Sequence, residues 1–265
     1  MKSTLDQIED IKRDGYTIDF NTVFTHAFEN YKKIALYSGL IILVFSIIFA
    51  FAFMGIMVAF YGAASLTEQF FQNLAVQKTS YLELVISTAV ISAVTALLAP
   101  FGAGFLKMAD AADKDESFDF STIFTYYKGA YFAQIFVASL IITLISTSIG
   151  ALIDGLGIRF LGTALSIMVN FFTYLSIPFI VFGNLKSLEA IKASLVIVTK
   201  NPGMIFILFV TGFIGSLLGL AGCCIGVLFT VVFNTSMTYA TYFSIISMDQ
   251  EEEDSIDSIG QSDFE

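Results

Sequence analysis

Few side chains in this sequence are equipped for chemistry, and their spacing limits what they can do. His26 is the one histidine. No second imidazole and no base-orienting group stand near it in sequence, so it is expected to be structural or solvated rather than catalytic. Its segment recurs 100 positions later with Tyr126 in its place, so the repeated block does not demand an imidazole. Asp110, Asp113, Asp115 and Glu116 carry enough charge to attract a divalent cation. They lack the alternating Asp/Asn ligands and the distal Glu of an EF-hand loop, and read instead as a solvated cytoplasmic loop. Cys223 and Cys224 are adjacent. A bridge between neighbours strains the peptide, so they are expected to be small packing residues at a helix end. No catalytic residue, metal site or cofactor is expected.

The remaining polar candidates lie inside long apolar stretches. Asn170 and Asn234 fall near the middle of two of these, and Asn234 is followed by Thr235, Ser236 and Thr238. In hydrocarbon each amide needs a partner, and interhelical hydrogen bonds of this kind contribute about 0.6–2 kcal/mol. The plain expectation is helix–helix adhesion. The sharper one is a polar lining for a small cavity or lipid headgroup, with both amides facing the bundle interior. Gly212, Gly215, Gly219, Gly222 and Gly226 recur at spacings of three and four, the small-residue pattern that lets helix backbones approach. Pro100 and Pro178 are expected to kink or break their helices.

The elements that carry these residues follow from where charge is missing. Hydrophobic residues make up 56% of the chain and charged ones 14%, against about 25% in a soluble domain. No charge occurs between Lys33 and Glu68, Glu83 and Lys107, Lys128 and Asp154, Arg159 and Lys186, or Lys200 and Asp249. One membrane span needs about 20 apolar residues. Four windows fit one helix each, and the fifth fits two and a turn. The predicted spans are 34–61, 84–106, 130–153, 161–184, 203–221 and 223–247. The fold class is therefore all-α, a polytopic bundle of six transmembrane helices.

Orientation follows from Lys and Arg in the connections. With the N-terminus inside, eleven of them fall on the cytoplasmic side and two, Lys78 and Arg159, outside. Both termini are expected to be cytoplasmic. Residues 1–17 lack the apolar core of a signal peptide, so no cleaved leader is expected. The net charge of −10 owes much to residues 249–265, an acidic tail that reads as disordered and solvated. No basic patch suits nucleic acid. Membrane lipids, and possible contacts with other membrane proteins, are the partners in view.

The block Ile18–Thr25 returns as Phe118–Thr125, each copy running into an apolar stretch. Phe20, Val23, Phe24, Ala27, Phe28 and Tyr31 keep the spacing of one helical face, as do Phe120, Ile123, Phe124, Tyr127 and Tyr131. Asp19 or Asn21, and Asp119 or Ser121, suit the helix N-cap. Residues 187–200 keep the pattern with a stripe of Leu188, Ile191, Leu195 and Val198. The membrane domain, 18–248, thus divides into units of about 18–106, 118–184 and 186–248. Each is an amphipathic helix followed by a transmembrane hairpin. Those helices either lie in the headgroup region or pack beneath the bundle, and both positions are open.

Leu185–Leu195 with Thr199–Asn201, the glycines Gly215, Gly219, Gly222 and Gly226, and Tyr239 and Tyr242 in the closing helix resemble certain bacterial membrane families. These are the uncharacterised YciC-like proteins and the membrane domain found beside some glycerophosphodiester phosphodiesterases. The resemblance implies a bacterial inner-membrane protein and imports no phosphodiesterase activity, because the hydrolase domain and its ligands are not in this sequence. The expected function is non-enzymatic: a scaffold, accessory subunit or envelope-homeostasis factor. The alternative is a transporter or channel for a neutral small solute or lipid through a midplane polar cavity.

Overall fold

A computed structural model describes residues 2–70, 72, 80–155, 158–222 and 225–246. Cys223, Cys224 and the acidic tail lie outside the described residues. No strand occurs among the described residues. The α-helices are α1 (Thr4–Asp14), α2 (Phe20–Tyr61), α3 (Tyr81–Asp113), α4 (Gly129–Gly155), α5 (Arg159–Phe172), α6 (Ser176–Val181), α7 (Ser187–Lys200), α8 (Pro202–Leu217) and α9 (Ile225–Ile246). Short 3-10 turns cover Ala63–Leu66, Phe120–Tyr127 and Leu218–Gly222.

The two copies of the repeated block start alike and end differently. Asp19 accepts a hydrogen bond from the Thr22 amide and Asp119 from the Thr122 amide, so the aspartates are the caps in both. The first copy then continues without interruption to Tyr61. The second is a 3-10 stretch that stops at Lys128, before Gly129 at φ 68°. The residue at the matching place in the first copy is Glu29, which favours helix, whereas Gly129 adopts a turn conformation that an L side chain resists. One glycine therefore separates a helix fused to its span from a helix set apart from it.

Five helical stretches are long and apolar enough to cross a membrane: Phe20–Tyr61, Leu82–Asp113, Gly129–Ile153, Phe160–Val181 and Pro202–Ala221. The expected sixth, α9, is not among them. It carries Asn234, Thr235, Ser236, Thr238 and Thr241, and it is central, packing against α2, α3, α6 and α8. A helix walled in by other helices does not need an apolar surface on all sides. Its side chains from Ser236 to Tyr242 are all buried.

Further expectations meet mixed outcomes. Pro100 does not break its helix, since α3 continues through it to Asp113, past the predicted end at 106. The fourth span does break, at 173–175, the turn whose Tyr174 carbonyl Pro178 has no N–H to reach. There the Ser194 hydroxyl of α7 accepts from the Leu175 amide at 3.1 Å and donates to the Phe172 carbonyl at 2.9 Å. It satisfies two of the backbone groups that the interruption frees. On α7 itself the expected apolar stripe is split, with Val198 buried and Ile191 packed against the core. Leu188 and Leu195 are exposed, and the face against the bundle is Ala190, Ala193, Ser194, Ile197 and Val198. Small residues are needed there because α7 must come close enough for Ser194 to reach backbone.

The N-terminal segment adds an element the apolar pattern did not reveal. Ser3 and Asp6 form a capping box, and α1 buries Gln7, Ile8 and Ile11 on α7. The Tyr16 hydroxyl then donates to the Ile197 carbonyl at 3.1 Å, pinning the following loop to the same helix. The densest core lies towards this end of the molecule, from Val23 and Ala27 through Met108 and Ala109 to Met237 and Ala240. The far ends of α2 and α3 are stripped of it: Phe51, Phe60 and Leu82 are among many large exposed apolar side chains there.

Candidate functional site

The length of α2 explains how polar residues come to meet. Its 42 residues span about 63 Å at 1.5 Å each, roughly twice the 30 Å hydrocarbon core. A helix of that length extends its charged first turns beyond any apolar layer of that thickness, and the last turns of α3 lie beside them. Asn30, 1% exposed, donates to the Ala109 carbonyl at 2.7 Å and accepts from the Ser236 hydroxyl at 2.9 Å. Lys33 donates to the Ala112 carbonyl at 2.9 Å and to Asp115 at 2.6 Å. A cation at a helix C-terminus stabilises the orphan carbonyls and the dipole there. Asp115 itself adopts φ 53°, the left-handed conformation that commonly ends a helix.

His26 and the acidic cluster, expected to be unrelated and solvated, are joined. His26 Nε2 lies 2.8 Å from Asp113 Oδ1, and the Tyr239 hydroxyl donates to Asp113 Oδ2 at 3.1 Å. The His26 and Tyr239 rings meet edge to face. Asp110, far from being a loop residue, is 3% exposed on α3. Lys107 and Lys114 each place an ammonium 2.7 Å from one of its oxygens. That contact with Asp110 is the main reason the Lys114 ammonium is held above its ordinary pKa. Tyr126, at the place of His26 in the second copy, is also buried, and burial first, then the Asp110 charge, pushes its hydroxyl pKa up. Position 26 and position 126 thus both approach the end of α3. We refer to this group as the clamp.

Beyond the clamp lies a cleft of about 250 Å³ between α3, the α5–α6 break and α9. Ala99, Gly102, Ala103 and Leu106 form one wall, Tyr174, Ile177 and Pro178 a second, and Asn234, Thr235 and Thr238 the third. Asn234 lies five residues before Tyr239, about 7.5 Å along the helix from the clamp. The Thr238 hydroxyl donates back to the Asn234 carbonyl and the Thr241 hydroxyl to Met237. The Tyr174 hydroxyl is buried near these two threonines without making a hydrogen bond of ordinary geometry. The Asn234 side chain makes no hydrogen bond to any described residue; its oxygen sits against Gly212, where a Cβ would come within 2.6 Å of it.

The predicted polar residues are therefore divided. Asn234, Thr235 and Thr238 share the cleft. Ser236 belongs to the clamp through Asn30. Asn170 is elsewhere, donating to the Ser146 hydroxyl of α4 at 3.2 Å and to the Ser166 carbonyl at 2.8 Å from an exposed position. The two asparagines do not face a common cavity. Among the glycines, a Cβ on Gly215 would strike the Phe233 ring, and Gly219 and Gly226 lie backbone to backbone. Gly222 ends the 3-10 turn between α8 and α9. Of the stripe residues, Phe20, Phe24, Phe124 and Tyr127 are partly buried, while Phe28 and Phe120 are exposed.

Asn30, Lys33 and Asp113 carried no motif signal, because their partners lie about 80 residues or more away. Ser3–Asp6 before Ile8 and Ile11 was the readable sign of α1. No family model matches the chain, nor does any curated protein or any solved structure.

Proposed function

We propose that this chain is a six-span, non-enzymatic protein of a bacterial cytoplasmic membrane, acting as a scaffold or accessory subunit in envelope maintenance. The observation that carries the reading is an ordered layer of α1, α7 and the starts of α2 and α4, locked under the bundle by side-chain bonds. The Ser187 hydroxyl donates to the Gln134 carbonyl at 2.8 Å, Tyr131 donates to Asn184, and the clamp joins α2, α3 and α9. This layer still presents Phe28, Phe120, Leu188 and Leu195 outward. Apolar side chains on a fixed scaffold support contact with lipid or another membrane protein. The uneven placement of Lys and Arg supports cytoplasmic termini, and the buried polar face of α9 supports counting it as the sixth span. Native purification followed by lipid and protein mass spectrometry tests the reading. A stoichiometric membrane-protein partner that is lost in Phe28→Glu/Leu188→Glu is expected. Purification of the chain alone, with the variant active in the same envelope assays, overturns it.

A second reading is a carrier for a neutral solute or lipid. The Asn234 amide favours it, since it lines the cleft half-buried and without a hydrogen bond, and so is left to pair with a ligand.

A further inference from the structure

We propose that the cleft binds an uncharged, hydroxyl-bearing lipid of the diacylglycerol class, drawn from the cytoplasmic leaflet. This rests on the second reading, that the cleft is a ligand site.

Its chemistry selects the ligand. Asn234 lines the cleft with an amide that makes no hydrogen bond, its oxygen turned to Gly212 and its nitrogen left to donate. The Tyr174 hydroxyl is fully covered beside Thr238 and Thr241 and forms part of the wall. The other lining side chains are alkyl groups and the Thr235 and Thr238 hydroxyls. No charged side chain lines the cleft, so a carboxylate, phosphate or ammonium would be buried there without a counter-charge. A hydroxyl and an ester carbonyl match what is offered.

Depth selects the lipid. The clamp, with its lysines and aspartates, marks the aqueous boundary. Asn234 is about 7.5 Å further in, the level of the glycerol and ester groups rather than of the chain ends.

Access runs from the side. Gly102 is exposed, and a Cβ built on it would meet nothing within 4 Å. Leu98, one helical turn away, is 40% exposed and belongs to the apolar flank that includes Val94 and Leu97. The mouth therefore opens onto the surface that α3 turns to the bilayer. At about 250 Å³ the cleft is slightly below the 300 Å³ where small-ligand pockets begin. It has room for a glycerol head, with the acyl chains lying along the flank outside.

Photocrosslinking tests this. The full chain is placed in phosphatidylcholine nanodiscs with a diacylglycerol bearing a diazirine next to its glycerol, irradiated and digested. Cross-links are expected in Ala99–Leu106 and Asn234–Thr238, with competition by unlabelled diacylglycerol. Gly102→Leu, which fills the cleft from a free helical position, should cut this labelling about ten-fold, as should Asn234→Leu. Both variants should unfold at the parental temperature or above. Unchanged labelling in Gly102→Leu overturns the site and the second reading with it. Cross-links spread evenly along Leu82–Leu98 mean boundary lipid and overturn it equally. Competition by glycerol but not diacylglycerol, lost in Gly102→Leu, keeps the cleft as a ligand site and overturns the lipid class. If Gly102→Leu folds poorly, Asn234→Leu decides.

Discussion

A single amide on α2 ties three helices together. Replacing Asn30 with Ala would leave the Ala109 carbonyl and the Ser236 hydroxyl buried without that partner. A cost of about 1–3 kcal/mol is expected, read as a lowered unfolding midpoint in detergent. An unchanged midpoint would mean water replaces the amide there. The caps respond to pH. Hydrogen bonds from the Ser121 hydroxyl first, and the Thr122 amide after it, hold the Asp119 carboxyl below the ordinary 3.8. A depressed folded-state value gives stability that is complete above 3.8 and is lost as pH falls through the lower value. Asp119→Ala should therefore melt earlier than the parent at neutral pH, and the gap should close in an acid series. A gap that persists at the lowest pH would show that the carboxylate is not its source. At this scale the sequence was an uneven guide. Asp19 and Asp119 were readable because a cap and its amide lie three residues apart. Asp113 and His26 were not, because their pairing depends on two long helices overshooting the bilayer side by side.

At the scale of elements, contact between α8 and α9 depends on missing side chains. Gly219 and Gly226 are in backbone contact, and Thr230 donates to the Ser216 carbonyl at 2.6 Å beside them. Gly219 lies in the 3-10 turn that follows α8, so Gly219→Leu must push that end of α8 away from α9, and overpacking of this kind costs about 1–3 kcal/mol. Intramolecular disulfide trapping between cysteines placed on α8 and α9 should become slower in that variant, and an unaltered trapping rate would argue that the helices are not packed through Gly219. The glycine spacing made this contact legible. Three of the charge-free windows match long apolar helices to within three residues, while the first helix begins at Phe20 rather than 34 and the second ends at Asp113 rather than 106. The same windows placed a sixth span at 223–247, where α9 forms but is not apolar enough to count with the other five. On α7, Leu188 and Leu195 stay exposed, while the bundle takes Ala190, Ala193, Ser194, Ile197 and Val198, which the apolar spacing alone did not separate.

The whole molecule is bottom-heavy, with a dense core and its polar clamp on the side rich in Lys and Arg, and thinly supported helix ends opposite. In the most apolar window of α2 only 6% of residues are buried, so that window is left uncovered by protein along most of its length. Reporter fusions test the orientation: one placed after Asp249 should read as cytoplasmic and one at Lys78 as exported, and the reverse pattern would invert the topology. The interrupted fourth span also sets an order of events during synthesis. Phe172 and Leu175 leave the ribosome before Ser194 exists. When that span enters the bilayer, its freed carbonyl and amide have no water and, as yet, no hydroxyl. The span can be inserted but not completed until the chain has added α7 and folded it back onto the break. A ribosome arrested just short of Ser194 would hold a protein whose fourth span is still searching for its shape.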